Sequence, residues 1–113
     1  MIFDKDLKLK IGGKEYNLCF PVKRVFEAER QLPERNLVKT MANQPLSIEA
    51  LYILLKEGIR GGGVNITNEE AEQLFLQALE ENSIETLMLI LIAAVGKSGV
   101  FGSGKNKPAA ANA

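Results

Sequence analysis

The 113-residue chain has no histidine and no tryptophan, and Cys19 is its only cysteine. An intrachain disulfide needs two cysteines, and a zinc site is built mainly from cysteine and histidine. A Ser–His or Cys–His catalytic pair is excluded as well. These absences remove much of enzyme chemistry, and we expect a protein that is not an enzyme and that holds no metal or cofactor.

Long apolar runs are also absent. The longest, Leu87 to Val95, is far shorter than the roughly 18 residues that a membrane-spanning helix needs. The N-terminal residues MIFDKDLKLKIGG contain no apolar stretch of signal-peptide length. We therefore expect a cytoplasmic protein without a membrane partner.

Charge is balanced overall, with 14 basic and 14 acidic residues. No cluster of basic residues is interleaved with aromatic ones, so we expect no nucleic-acid partner. The charges are unevenly distributed, however, because residues 61–96 carry acidic side chains and no basic one. Such a segment can orient copies head to tail or attract a basic partner, or it can simply be a solvated helix surface.

The segment LKLKIGGKEYNLCF alternates apolar and polar residues on both sides of Gly12 and Gly13, which predicts a β-hairpin with its turn at these glycines. A loop over residues 12–15 gives three facing apolar pairs: Ile11 with Tyr16, Leu9 with Leu18, and Leu7 with Phe20. All six side chains then lie on one face. Two strands are marginal alone, so helices must cover that face.

Helical periodicity and capping signals follow the hairpin. Pro21 opens a first helix, which ends before Pro33 and whose apolar stripe is Val22, Val25, Phe26, Ala28 and Leu32. A short helix is predicted around Leu37 to Met41. Ser47 caps a third helix, with apolar residues Ile48, Leu51, Tyr52, Leu55 and Ile59, that ends at the glycines of residues 61–63.

Two further starts have the form of a capping box, in which a polar residue precedes a glutamate by three positions. Thr67 and Glu70 open an acidic fourth helix. Asn82 and Glu85 open a last helix from Ile84 to about Val95 that is apolar almost all round. Such a helix must be buried, either in the core or against another subunit.

These patterns predict one α+β domain over residues 1–96, in which an N-terminal β-hairpin packs on a bundle of four to five α-helices. Residues 97–113 are rich in glycine, serine, lysine and alanine and are predicted to form a disordered, flexible tail. One small core cannot accept every apolar side chain of the last helix. The candidate oligomer or client interface is therefore Leu87, Met88, Leu89, Ile90, Leu91 and Ile92.

The segment GVFGSGKN, residues 99–106, is close to the loop that cradles nucleotide phosphates. Asn106 replaces the hydroxyl residue of that motif, and the segment follows an apolar helix instead of a buried strand. No long helix can follow it, so the helix dipole that would meet a phosphate is missing. We interpret the match as a chance product of the tail's composition.

The chain resembles the tail assembly chaperones of long-tailed, siphovirus-type bacteriophages and prophages in the order of five segments. These segments are the hairpin LKIGGKEYNLCF, the helix VFEAERQL, the segment LLKEGIR, the helix start ITNEEAEQL and the apolar last helix. The resemblance covers Leu7 to about Val95. It implies a non-catalytic protein of the bacterial host cytoplasm that is not part of the finished virion.

The resemblance also implies the partners. These are the tape measure protein, the tail tube protein that the chaperone helps to recruit, and further copies of the chain in a homo-oligomer. The alternative is a small oligomeric structural protein of a prophage, such as a head–tail adaptor.

Overall fold

A computed structural model describes residues 7–99. Two strands are followed by five helices: β1 (Leu7–Ile11), β2 (Lys14–Leu18), α1 (Val22–Gln31), α2 (Leu37–Ala42), α3 (Ile48–Gly61), α4 (Asn68–Glu81) and α5 (Ile84–Lys97). The predicted α+β class, an N-terminal hairpin on a helical bundle, is confirmed. The predicted tail lies outside the described residues from position 100 onward.

The hairpin turn is shorter than predicted. Gly12 and Gly13 alone form it, with φ of +62° and +83°, as in the two-residue turns that match the twist of the flanking strands. The register is therefore shifted: Ile11 faces Lys14, Leu9 faces Tyr16 and Leu7 faces Leu18. The shift is two residues, so the apolar side chains still share one face.

The outer edge of β2 is covered by the C-terminal end of α3. The backbone N–H of Cys19 donates to the carbonyl of Gly58 at 3.1 Å. A Cβ atom on Gly61 would lie 1.9 Å from the Cys19 carbonyl oxygen, and one on Gly62 would lie 2.0 Å from that of Asn17. These glycines therefore end the helix as predicted and also let it touch the strand.

Helix α3 is the centre of the molecule, in contact with β2, α1, α4 and α5. It is buried from Ala50 to Ile59 apart from Tyr52, although Lys56 and Glu57 carry charges. The apolar last helix, α5, is buried on one side only. The central helix therefore contains two buried charged residues, of which Glu57 is ion-paired and Lys56 donates to side-chain amides.

Helix α1 begins after Pro21 as predicted, and α2 occupies the short helical segment predicted after Pro33. The predicted stripe of α1 is wrong at two positions, because Val22 is 61% exposed and Phe26 is 55% exposed. Val25 and Ala28 are the apolar residues that α1 buries.

Helices α4 and α5 begin with side-chain caps. The capping box of Thr67 and Glu70 is present as predicted. At α5 the cap is Ser83, whose side chain accepts from the backbone N–H of Thr86, and not the predicted Asn82. Asn82 instead ends α4, where its side chain donates to the carbonyl of Ala78.

Candidate interaction surface

The candidate interface on α5 is divided between core and surface. Leu87 and Leu91 are fully buried, whereas Leu89 is 67% exposed. Met88, Ile90 and Ile92 are half-buried at the borders. The predicted set therefore contains two core residues and one outward-facing residue, Leu89.

Leu89 lies at the centre of the outward face of α5. At 3.6 residues per turn, Glu85, Ala93 and Gly96 share this face with it, and all three are exposed. Lys97 lies at the exposed C-terminal end of the helix. This outer face of α5, defined by Glu85, Leu89, Ala93, Gly96 and Lys97, has an apolar centre, an acidic start and a basic end.

A second apolar surface lies on α1. Val22 and Phe26 are one helical turn apart, so their exposed side chains are neighbours. Next to Phe26 is a shallow cavity of about 250 Å³ lined by Phe26, Glu29, Arg30 and Arg35. We call Val22, Phe26, Arg30 and Arg35 the α1 face; its apolar side chains lie next to charged ones of both signs, since Glu29 lines the same cavity and Arg30 is paired with Glu27.

A charged network inside the protein holds α1, and with it the α1 face, against α3. The carboxylate of Glu57 is 0% exposed and accepts from Arg24 at 2.8 Å, from Arg60 at 3.0 Å and from the amide of Gln31 at 2.9 Å. Arg24 and Gln31 belong to α1, so these bonds connect it to α3. Periodicity counts apolar positions only, and no sequence signal indicated this network.

Lys56 extends the network towards α4. Its ammonium donates to the side chain of Gln31 and, at 3.2 Å, to Asn68 Oδ1. It also lies 5.0 Å from the centre of the Tyr52 ring, within the range of a cation–π contact. Burial lowers the pKa of Lys56 below its ordinary 10.5, while the neighbouring Glu57 carboxylate acts in the opposite direction. Burial, with the negative charge of Glu72, raises the pKa of Tyr52.

The predicted hairpin turn at Gly12 and Gly13 is anchored to the end of α4. The backbone N–H of Gly12 donates to both carboxylate oxygens of Glu81, at 3.0 and 3.1 Å. The side chain of Gln77 lies beside Gly12 and donates to Glu81 at 3.2 Å.

Within residues 7–99, no three acidic, cysteine or histidine side chains are grouped so that they could hold a metal ion. None of the helices in this part of the chain is long and apolar enough to cross a membrane. The residues after Gly99 that resemble a phosphate loop lie outside the described residues.

Comparisons with protein-family models, with curated proteins and with solved structures give no match.

Proposed function

We propose that this chain is a phage tail assembly chaperone, which binds the tape measure protein in the host cytoplasm and helps to recruit tail tube subunits without entering the finished virion. The order of the hairpin and helices, on which the resemblance depends, supports the proposal. The observation that carries it is the exposed apolar pair of Val22 and Phe26, which lie one helical turn apart on α1.

The α1 face suits a helical client. Val22 and Phe26 are exposed one turn apart, which is the spacing at which an amphipathic helix presents its own apolar side chains. Charged side chains of both signs surround this pair, because Glu29, Arg30 and Arg35 line the cavity beside Phe26 and Arg30 pairs with Glu27, so a client helix with a polar border of mixed charge fits the surface. Covering such stripes keeps a long helical protein from aggregating before the tail tube surrounds it.

The proposal is tested by co-expression with the tape measure protein encoded in the same genome. The chain should keep that protein in the soluble fraction and co-purify with it, whereas Val22→Ser/Phe26→Ser should lose most of the bound client. Val38→Ser is the matched control, because Val38 is 58% exposed on α2, outside the α1 face. Insoluble tape measure protein in the presence of the folded wild-type chain would refute the proposal.

A small oligomeric structural protein, such as a head–tail adaptor, is the second candidate. The exposed Leu89 on α5 supports it, since an apolar residue at the centre of an exposed helix face can make a permanent contact between subunits. A structural protein should be found in purified virions or tails, whereas a chaperone should be absent from them.

A further inference from the structure

We infer that the outer edge of β1 binds an extended, acidic segment of a partner protein, which adds to the hairpin as a third strand. This β1 edge is formed by the backbone and the side chains of Lys8 and Lys10. It is separate from the α1 face, so the inference goes beyond the proposed function and does not depend on what the α1 face binds.

The register of the hairpin determines which backbone groups point out of the sheet. In an antiparallel ladder, hydrogen-bonded pairs alternate with pairs whose N–H and C=O groups point outward. The two-residue turn makes Ile11 and Lys14 a hydrogen-bonded pair, and every second residue of β1 counted back from Ile11 is bonded to β2 as well. Lys8 and Lys10 therefore direct two N–H donors and two carbonyl acceptors away from β2.

The two edges of the hairpin differ in what covers them. On β2 the outward groups meet the end of α3, since the N–H of Cys19 donates to Gly58 and the carbonyl of Asn17 lies against Gly62. Helices α4 and α5 contact β1, but the bond from α4 reaches the turn at Gly12 and not the edge. Within residues 7–99, the backbone groups of the two edge lysines have no hydrogen-bond partner. Buried N–H and C=O groups are nearly always paired, so these four groups face solvent.

The lysine side chains determine which strand fits this edge. Both are exposed, and neither forms an ion pair in the described part of the chain, although Glu15 lies opposite Lys10 within the hairpin. An added strand brings one side chain directly opposite each lysine. Opposite charges at such positions stabilise the pairing of strands, whereas like charges destabilise it. A partner segment with acidic residues at two alternate positions therefore matches the edge in backbone and in charge.

The same lysines disfavour a second copy of this chain as the occupant. Two β1 edges can pair only through the outward groups of Lys8 and Lys10, so every antiparallel register that uses them places a lysine opposite a lysine. Charged residues, lysine above all, protect the edges of natural sheets from such contacts. The edge thus rejects its own copies and selects an acidic strand.

A peptide titration of the full-length chain, followed by nuclear magnetic resonance, tests the inference. The probe is a blocked seven-residue peptide of threonine and valine that carries two glutamates two positions apart. The strand is only five residues long, so we expect a dissociation constant in roughly the high micromolar to millimolar range. The amide signals of Lys8 and Lys10 should shift saturably. At about ten times the dissociation constant, the hydrogen exchange of these two amides should slow about tenfold.

Two control peptides separate strand addition from simple charge attraction. The first has lysines in place of the two glutamates and should not bind, because it places like charges opposite each other. The second is N-methylated at both glutamates, which keeps the charge and removes the N–H groups that donate to the edge carbonyls. It should not bind either.

A charge exchange tests the role of the lysine side chains. Lys8→Glu/Lys10→Glu should weaken the binding of the acidic peptide by at least about tenfold and should let the lysine peptide bind. Lys23→Glu/Lys39→Glu is the matched control. It makes the same change of net charge at two exposed lysines on α1 and α2, and it should leave the affinity for the acidic peptide within about twofold.

The free wild-type chain provides a test that needs no substitution. The amides of Lys8 and Lys10 should exchange quickly, and that of Leu9, which is bonded to β2, slowly. Slow exchange at both lysines would overturn the inference, as would the absence of saturable shifts up to about 5 mM acidic peptide or equal binding of the N-methylated peptide. These wild-type measurements decide the matter even where a charge variant fails to fold, and none of them depends on whether the chain binds a tape measure protein.

Discussion

The buried carboxylate of Glu57 offers the sharpest test of how the fold is stabilised. Glu57→Gln keeps the size of the side chain and removes its charge. Arg24 and Arg60 then lose their shared anion, while both guanidinium groups remain where they are. The link between α1 and α3 is weakened at its centre.

The expected loss of unfolding free energy in Glu57→Gln depends on how deeply the charges are buried. Breaking a fully buried ion pair costs about 3 to 5 kcal/mol, because it leaves an uncompensated charge inside the protein. Both arginine side chains are 22% exposed, so water recovers part of their solvation. We expect Glu57→Gln to lower the free energy of unfolding by about 2 to 4 kcal/mol, a large fraction of the roughly 5 to 15 kcal/mol of a whole domain.

Urea unfolding monitored by circular dichroism measures this change. The control is Glu27→Gln, which removes the pair between Glu27 and Arg30. Those side chains are 39% and 62% exposed, so the loss should stay below about 1 kcal/mol. Equal losses of unfolding free energy in the two variants would refute the reasoning, because burial would then not determine how much the Glu57 contacts stabilise the protein.

Three further changes test other parts of the fold. Gly13→Val should lower the free energy of unfolding by roughly 1 kcal/mol or more, because residue 13 has a positive φ in the turn. Gly13→Asn should lower it by less, because asparagine tolerates a positive φ better than valine does, and equal melting temperatures for both variants and the wild type would contradict this. Gly61→Ala should lower the free energy of unfolding, measured with urea, by about 1 to 3 kcal/mol, because the added Cβ atom collides with the Cys19 carbonyl. Gly96→Ala should leave that free energy unchanged or raise it, because no atom lies within 4 Å of the added Cβ. A larger loss for Gly96→Ala than for Gly61→Ala would show that the end of α3 does not touch the strand. The lowered pKa of Lys56 means that its ammonium binds fewer protons in the folded than in the unfolded state as the pH approaches 10.5, which raises stability with pH, whereas the raised pKa of Tyr52 acts in the opposite direction in the same window. Urea titrations at several pH values should therefore show a more positive slope of stability against pH in the wild type than in Lys56→Met, and an identical slope in both would be the contrary result.

Local signals in the sequence predicted local structure well. The capping box of Thr67 and Glu70 was predicted because both partners lie within one turn of the helix. The hairpin was predicted with its apolar face correct, but its register was wrong by two residues. Alternation constrains which face a residue lies on, whereas the length of the turn depends on whether both glycines adopt positive φ.

Burial across elements was harder to predict. Hydropathy predicted that α5 is buried, either in the core or against another subunit, and did not indicate that α3 is the central helix, since α3 carries the charged residues Lys56 and Glu57; the ion pairs of Glu57 with Arg24 and Arg60 make its burial possible. The exposure of Val22 and Phe26 was missed for a related reason, since a stripe of apolar residues does not show which part of it has a neighbour to pack on. The hydrogen bonds between the Glu81 carboxylate and the backbone of Gly12 join residues that are 69 positions apart, and no local sequence pattern indicates such a contact.

Calorimetric titration of the purified chain with peptides from the tape measure protein tests the proposal that an apolar helix of that protein binds the α1 face. Burial of Val22 and Phe26 predicts saturable binding with a negative heat-capacity change, and Val22→Ser/Phe26→Ser should abolish it while Val38→Ser binds like the wild type. No binding by the folded wild-type chain to any peptide that tiles the tape measure protein, or equal binding by the Val22→Ser/Phe26→Ser variant, would contradict the account.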